Sequence, residues 1–338
     1  MARPGPRNLI TDVDGILIGN AEDLNARTGV TVILPDQPVV AAVDVRGGGP
    51  GTRETDALDP SCLVERIHAV CLSGGSVFGL EAPSGVASWM SARGRGLAIG
   101  PLALPVVPAA ILFDLMNGGD KSWGDLPPYR SLGRDACNAA ATEFQLGNAG
   151  AGLGATAGSL KGGLGSASIV TEDGVQVGAI AAANPMGSVV MPGSSVFWAW
   201  PYEQDRELGG QTPPIAAGND LELDLPGGGF PGTNTTLAVV ATNLAVDRAG
   251  ARRIATMAHD GLARAVRPVH TPFDGDTVFV ISTGAKQIAG GAEALPAALS
   301  RAGSLAADCV ARAIARGVYA ADTLGDHPGY RSKFGATP

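Results

Sequence analysis

The chain is poor in the features that mark several large protein classes. No run reaches the ~20 apolar residues that a bilayer span requires, and the opening Met1-Ala2-Arg3-Pro4-Gly5-Pro6-Arg7 is not followed by an apolar signal core. Positive charge is scarce: 24 Lys and Arg stand against 32 Asp and Glu, for a net charge of -8. That balance opposes binding to nucleic acid or to an anionic membrane, both of which favour a basic surface. The four cysteines, Cys62, Cys71, Cys137 and Cys309, show no CxxC or Cys/His spacing, so buried thiols are expected and a metal site is not. Charged or Ser-rich linkers are missing as well, which favours one domain over residues 1–338. A cytoplasmic location is the expectation, and it empties the glycosylation-like Asn234-Thr235-Thr236 of meaning.

Glycine is what the chain has in quantity. With 49 glycines and 45% apolar residues, a large core crossed by many tight turns is expected, and disorder is not. The most informative junction lies at Pro231-Gly232-Thr233-Asn234-Thr235-Thr236-Leu237-Ala238-Val239-Val240-Ala241-Thr242. Upstream, Leu225-Pro226-Gly227-Gly228-Gly229-Phe230 offers little to a core and should be an exposed loop. Downstream, a short apolar, β-rich run reads as an interior strand. A hydroxyl residue opening a buried strand behind a dispensable loop suits an N-terminal nucleophile: after cleavage of Asn234-Thr235, the new α-amine, of ordinary pKa near 8, can serve as base for its own hydroxyl. A Thr-rich strand start after a Gly/Pro turn is the plainer alternative.

Other segments carry weaker signals. Asp12-Val13-Asp14-Gly15 resembles the DxDG of aspartyl-phosphate phosphatases, with Asp12 as nucleophile and Asp14 as acid/base on a magnesium-bound phosphate, or it is a turn between strands. Residues 28–34 and 39–45 read as a hairpin through Pro35-Asp36-Gln37-Pro38. Gly47-Gly48-Gly49 either walls a pocket or connects flexibly. Residues 60–67 read as a short helix and 68–72 as a strand. A GxSxG elbow on Ser76 fails because Phe78 stands where glycine is needed. Helices are expected over 79–93, 135–145, 249–266 and 296–320, and strands over 166–170 and 175–182. The run from Gly147 to Gly158, including Gly150 and Gly152, lacks GxxxxGK[ST] and is either a glycine-lined substrate cleft or a set of turns. Residues 194–233 form a long excursion without periodicity, in keeping with a pro-segment or lid. If the chain is extended at Asp274-Gly275-Asp276, both carboxylates share a face and can hold a proton between them; an Asp-Gly turn is the other reading.

Taken in order, Leu72 to Leu80, Gly147 to Gly158, Lys161-Gly162-Gly163-Leu164-Gly165-Ser166-Ala167-Ser168, Ala183-Asn184-Pro185, Asn234-Thr235-Thr236 and His270 to Thr277 are similar to the L-aminopeptidase/D-esterase hydrolases of the DmpA type. That family includes the nylon-oligomer hydrolases and has the ornithine acetyltransferases as distant kin. The resemblance spans most of the chain. It implies a four-layer α/β/β/α sandwich and self-cleavage into an α-chain of 1–234 and a β-chain of 235–338. By the same resemblance Thr235 is the nucleophile, Asn184 the oxyanion donor, and Asp274 and Asp276 the pair that orients the nucleophile, as in the nylon-oligomer branch. Ser159 stands where the family often has lysine, with Lys161 the nearest lysine, and Phe113 falls where nylon hydrolases have tyrosine; Lys161, Phe113, Gly150 and Gly152 are the candidates for lining the substrate site. The expected substrates are small peptides, amino-acid amides or ω-amino-acid oligomers. No cofactor or metal is expected, and the family suggests a tetramer of αβ units.

Overall fold

The computed structural model describes residues 2–213 and 233–335. The glycine- and proline-rich stretch read as an exposed loop, and residues 214–232 of the lid or pro-segment reading, lie outside these. Strands in the first part are β1 (Ala2–Arg3), β2 (Ile16–Asp23), β3 (Thr28–Pro35), β4 (Val40–Val45), β5 (Thr52–Arg53), β6 (Val70–Ser73), β7 (Leu97–Ile99), β8 (Leu102–Leu104) and β9 (Ala109–Ile111). Then come β10 (Thr156–Ala157), β11 (Leu160–Lys161), β12 (Gly163–Thr171), β13 (Gln176–Asn184), β14 (Thr235–Leu244) and β15 (Thr277–Lys286). The helices are α1 (Ala82–Ser91), α2 (Tyr129–Asn138), α3 (Arg248–Ala265), α4 (Gly291–Ala320) and α5 (Tyr330–Phe334).

Two sheets lie face to face. A six-stranded sheet runs β1-β12-β13-β14-β15-β4, and a five-stranded sheet runs β2-β3-β6-β9-β5. Because successive strand residues point to opposite faces, neighbours on β14 serve different cores. Val239 packs between the sheets with Ile18, Ile33, Leu72 and Phe279, while Val240 packs outward against Ile254 and Leu262 of α3 and Val310 and Ile314 of α4. On the far side, Val30, Val32 and Cys71 meet Val86, Met90 and Leu132 of α1 and α2. Three apolar layers between four structural ones make the α/β/β/α sandwich. No helix among the described residues is long and apolar enough to cross a membrane.

Several local readings change. Residues 28–34 and 39–45 do not form a hairpin: β3 pairs with β2 and β6, whereas β4 pairs with β15 in the other sheet. Both strands are apolar on both faces, so each needs cover above and below, and the Pro35–Pro38 turn carries the chain between sheets. Residues 60–67 form no helix, because the Asp59 carboxylate takes both the amide and the hydroxyl of Ser61 in a local turn. The helix expected over 135–145 runs instead from Tyr129, just after Pro128, to Asn138. By Ala141 the chain exchanges both backbone bonds with Ile18 at 3.0 Å and is no longer helical. The strand expected on the 267–281 run begins at Thr277.

Candidate active site

β14 lies between β13, antiparallel, and β15, parallel, and all ten of its residues are buried. The parallel pair is joined by α3, the usual crossover for such a connection. The register sets Asn184, the last residue of β13, opposite Thr235, the first of β14. Just before β15, Asp274 bridges Asn234 in parallel. The ends of three neighbouring strands therefore gather Asn184, Thr235, Asp274 and Asp276 at one edge of the sheet, all buried.

The Thr235 hydroxyl donates to the carbonyl of Asn234. That carbonyl also accepts from the Gly275 amide at 2.9 Å. Gly275 explains how the segment comes so close: a Cβ there would stand 2.6 Å from Thr235 Oγ1 and 2.8 Å from the Gly49 carbonyl. The triple-glycine loop resolves in the same way. The Gly49 amide donates to the Asp274 carbonyl at 2.8 Å, and a Cβ on Gly47 would lie 2.3 Å from the Asp276 nitrogen. Gly47 to Gly49 thus lie as a wall against the Asp274–Asp276 backbone.

The two carboxylates are held by different partners. Asp274 Oδ2 accepts from the Thr271 amide at 3.0 Å and its hydroxyl at 2.6 Å, and Oδ1 from the Met186 amide at 3.1 Å. Asp276 Oδ1 accepts from the Thr236 amide at 2.8 Å, and Oδ2 from the amide and ring of His270 at 3.1 and 2.8 Å. Burial, and then the charge of Asp276, push the Asp274 pKa above the ordinary carboxylate value, against the pull of its hydrogen bonds. An acid with a raised proton affinity can accept and return a proton; the hydroxyl that its carboxylate holds directly is that of Thr271.

The Asn184 amide is oriented by its neighbours. Its Oδ1 accepts from the Thr156 amide at 2.8 Å, which leaves Nδ2 as the donor, reaching the carbonyls of Phe113 at 3.2 Å and Thr233 at 3.5 Å. Phe113 thus enters the site through its backbone. Lys161 is buried behind it, its ammonium on the carbonyls of Gly152 at 3.0 Å and Gly162 at 2.9 Å. Burial lowers the Lys161 pKa to about 7, partly countered by Asp114, while burial raises Asp114 to about 6 against hydrogen bonds from Thr28 and Gly75. Gly152 holds Lys161 by its carbonyl; a Cβ there would meet the Leu164 nitrogen at 2.1 Å, and one on Gly150 the Thr31 hydroxyl at 2.2 Å. The buried glycine run is packed against strands.

Asp12 and Asp14 stand elsewhere. Asp12 accepts from the amides of Arg7 and Leu9 and the hydroxyl of Ser168, and Asp14 is exposed beside Gln176. This is a structural turn, so the phosphatase reading of that pair is set aside. Among the described residues no group of three or more His, Cys, Asp or Glu could hold a metal ion. The corner after β6 has the backbone of an elbow, with Ser76 at φ 51°, yet no hydrogen bond joins its hydroxyl to an imidazole among the described residues. Sequence reasoning missed His270, Thr271, Thr156, Asp114 and the Gly275 amide. Of these, Thr271 was accessible, because Thr-x-x-Asp is a local motif in which side chain and backbone bond across three residues.

Comparison with known proteins places the chain in a family. The model of peptidase family S58 matches residues 8–331. An uncharacterized aminopeptidase of Mycobacterium tuberculosis is 43% identical over 345 residues, covering 97% of this chain and 98% of that protein. A 6-aminohexanoate-oligomer endohydrolase of Paenarthrobacter ureafaciens is 30% identical over 286 residues, covering 82% of this chain and 76% of its own. Among solved structures, the L-aminopeptidase D-Ala-esterase/amidase of Ochrobactrum anthropi, a variant of the Ntn hydrolase fold, superposes with a TM-score of 0.63 at 21% identity, covering 94% of this chain and 88% of that one. At that identity the likeness establishes the fold alone. The sequence match over nearly the whole chain goes further: the protein belongs to peptidase family S58 and is a peptide-bond hydrolase.

Proposed function

We propose that this hydrolase activates itself by cutting its own Asn234-Thr235 bond and then acts as an N-terminal-threonine aminopeptidase or amidase on small peptides, amino-acid amides or ω-amino-acid oligomers. The observation that carries the reading is the Asn234 carbonyl, held between the hydroxyl that follows it and the Gly275 amide. Attack by Thr235 Oγ on that carbon puts negative charge on an oxygen that already has a backbone donor. The C–N bond breaks, the nitrogen of Thr235 takes a proton, and an ester joins Asn234 to Thr235 Oγ. Water then hydrolyses the ester, leaving a carboxylate on Asn234 and a free amine on Thr235.

In the mature enzyme that amine serves as base for its own hydroxyl, which attacks a substrate amide to give an acyl-threonine that water releases. Once the Asn234-Thr235 bond is cut, the new end at Asn234 can draw the Thr233 carbonyl away from Asn184 Nδ2, leaving that nitrogen able to donate to the substrate oxyanion. Loss of one such donor costs about 2.7–4 kcal/mol of barrier. The fragments 1–234 and 235–338 stay together because β14 is paired on both edges and buried on both faces.

Similarity to the Paenarthrobacter enzyme favours a second reading, endo-cleavage of 6-aminohexanoate oligomers. Product lengths separate the two: an aminopeptidase removes terminal units, an endohydrolase yields mixed internal fragments. The primary test is intact-mass spectrometry of the purified protein. It should find a fragment beginning at Thr235, absent from Thr235→Ala, which should also lack amide hydrolysis. An uncut chain that hydrolyses amides would end this reading.

A further inference from the structure

The mechanism above makes no use of an imidazole that stands directly behind Asp276. Resting on that mechanism, we infer that His270 is a positioning residue, which fixes the Asp276 carboxylate so that Asp276 anchors the backbone after Thr235 and proton exchange falls to Asp274.

The geometry around His270 is specialised. Its φ is 55°, a left-handed conformation that residues other than glycine adopt rarely and at a cost, with asparagine, aspartate and histidine the most tolerant. The consequence is that its amide and its ring Nδ1 both point at one oxygen, Asp276 Oδ2, at 3.1 and 2.8 Å. A carboxylate oxygen can only accept, so Nδ1 carries the proton. The other oxygen of Asp276 takes the Thr236 amide at 2.8 Å, the first amide after Thr235. Asp276 is therefore a strap between His270 and the strand that presents the hydroxyl. None of the hydrogen-bond partners of Asp274 is shared with it: those come from Thr271 and Met186.

The ring is itself clamped. It meets His259 of α3 edge to face, with centroids 4.9 Å apart and planes at 75°. His259 Nε2 donates to the Asp44 carbonyl at 2.9 Å and lies 3.4 Å from Asp44 Oδ1. Burial lowers the His259 pKa to about 4, so at neutral pH His259 is an uncharged wall. The groups facing His270 are thus Asp276 from the β15 approach and His259 from α3, with Asp44 and Arg46 of the β4 edge behind His259. A rigid imidazole set this way keeps the acid in one rotamer.

The test uses two isosteric variants. Asparagine and aspartate both tolerate left-handed φ, so His270→Asn and His270→Asp treat the backbone alike. Asn keeps a donor toward Asp276, and Asp replaces it with a second carboxylate. Activity on an amino-acid p-nitroanilide is measured as kcat and KM from pH 5 to 9. Where uncut precursor accumulates, its cleavage rate at each pH is read on gels. An acid that loses its donor and gains a like charge binds protons more readily, so the acid limb of the His270→Asp profile should move to higher pH. Its kcat should fall roughly 10–100-fold with KM within about twofold, while His270→Asn should stay within about threefold of the parent. Equal behaviour of the two variants, or an unshifted acid limb in His270→Asp together with a lowered melting temperature, would overturn the inference and leave His270 as packing. Thr235→Ala run beside them separates the two levels: if that variant still hydrolyses the amide, the threonine mechanism falls and this inference with it; if it is dead and only the His270 profiles disagree, this inference alone falls.

Discussion

Two Asp-x-Asp segments of this chain, Asp12-Val13-Asp14 and Asp274-Gly275-Asp276, differ in what stands between their acids. Val13 is fully buried and packs in the layer between the sheets. Anchoring that side chain sends the flanking acids apart, Asp12 into a turn whose donors it satisfies and Asp14 out to solvent. Gly275 has no side chain to bury. The space a Cβ would need there is taken by the Thr235 hydroxyl, and both neighbouring acids stay buried around the end of β14. The middle residue decides whether a pair of carboxylates serves the fold or gathers at a reactive group.

The comparison breaks most sharply at the acids themselves. Asp274→Asn keeps the shape of the side chain and removes its capacity to take a proton, so amide turnover should fall about 10²–10⁴-fold, read as kcat on a chromogenic amide. Next is the spacer. In Gly275→Ala the new methyl meets Thr235 Oγ1 at 2.6 Å and the Gly49 carbonyl at 2.8 Å. Displacing the hydroxyl by about an ångström should slow self-cleavage roughly 100-fold, followed as the uncut fraction on timed gels. The reciprocal change, Val13→Gly, leaves a void between the sheets. It should cost about 2–4 kcal/mol in chemical denaturation and leave self-cleavage intact. If Val13→Gly stops cleavage while Gly275→Ala does not, the roles assigned to the spacers are reversed.

How much of this was legible beforehand depends on the range of the interaction. The start of β14 at Thr235 could be read because an apolar run after a Gly/Pro stretch is a local signal, and α3, α4 and the β12–β13 pair follow from periodicity. Pairing was harder. β3 and β4 are adjacent in sequence and similar in composition, and only the competing partners β6 and β15 decide that they enter different sheets. In the site, Thr235, Asn184, Asp274 and Asp276 stood out by resemblance, and the structure brings them to one sheet edge. His270 and Thr156 did not, because their effect lies in direction: a ring turned by a left-handed backbone, and an amide aimed at Asn184 across the sheet. Lys161 shows the same limit. Its sequence neighbours, Leu160 and Gly162, carry no charge, and its lowered pKa comes from burial created by distant segments.

A smaller effect distinguishes the two acids of the first segment. Asp12 receives backbone amides and the Ser168 hydroxyl while 6% exposed. In Asp12→Asn one oxygen becomes a donor facing other donors, and leaving buried amides unsatisfied should cost about 1–3 kcal/mol. Fragment formation should be unchanged, since none of these donors reaches β14.

The smallest effect is expected at Asp14. It is exposed, and its bonds are two reciprocal ones with Gln176, amide to Oε1 at 3.0 Å and Nε2 to Oδ2 at 2.8 Å. Asn at 14 can still accept from Nε2 through its own carbonyl oxygen, and its backbone amide is untouched. Surface changes of this kind usually stay within about 0.5 kcal/mol, so Asp14→Asn should match the parent in melting temperature, self-cleavage and amide turnover. A magnesium-dependent chemistry at Asp12 and Asp14 would give the opposite result, with phosphate release by the parent that vanishes in Asp14→Asn. Assaying phosphate release and amide hydrolysis on the same two preparations therefore decides whether the first acid pair does anything beyond holding the turn that carries Val13 into the core.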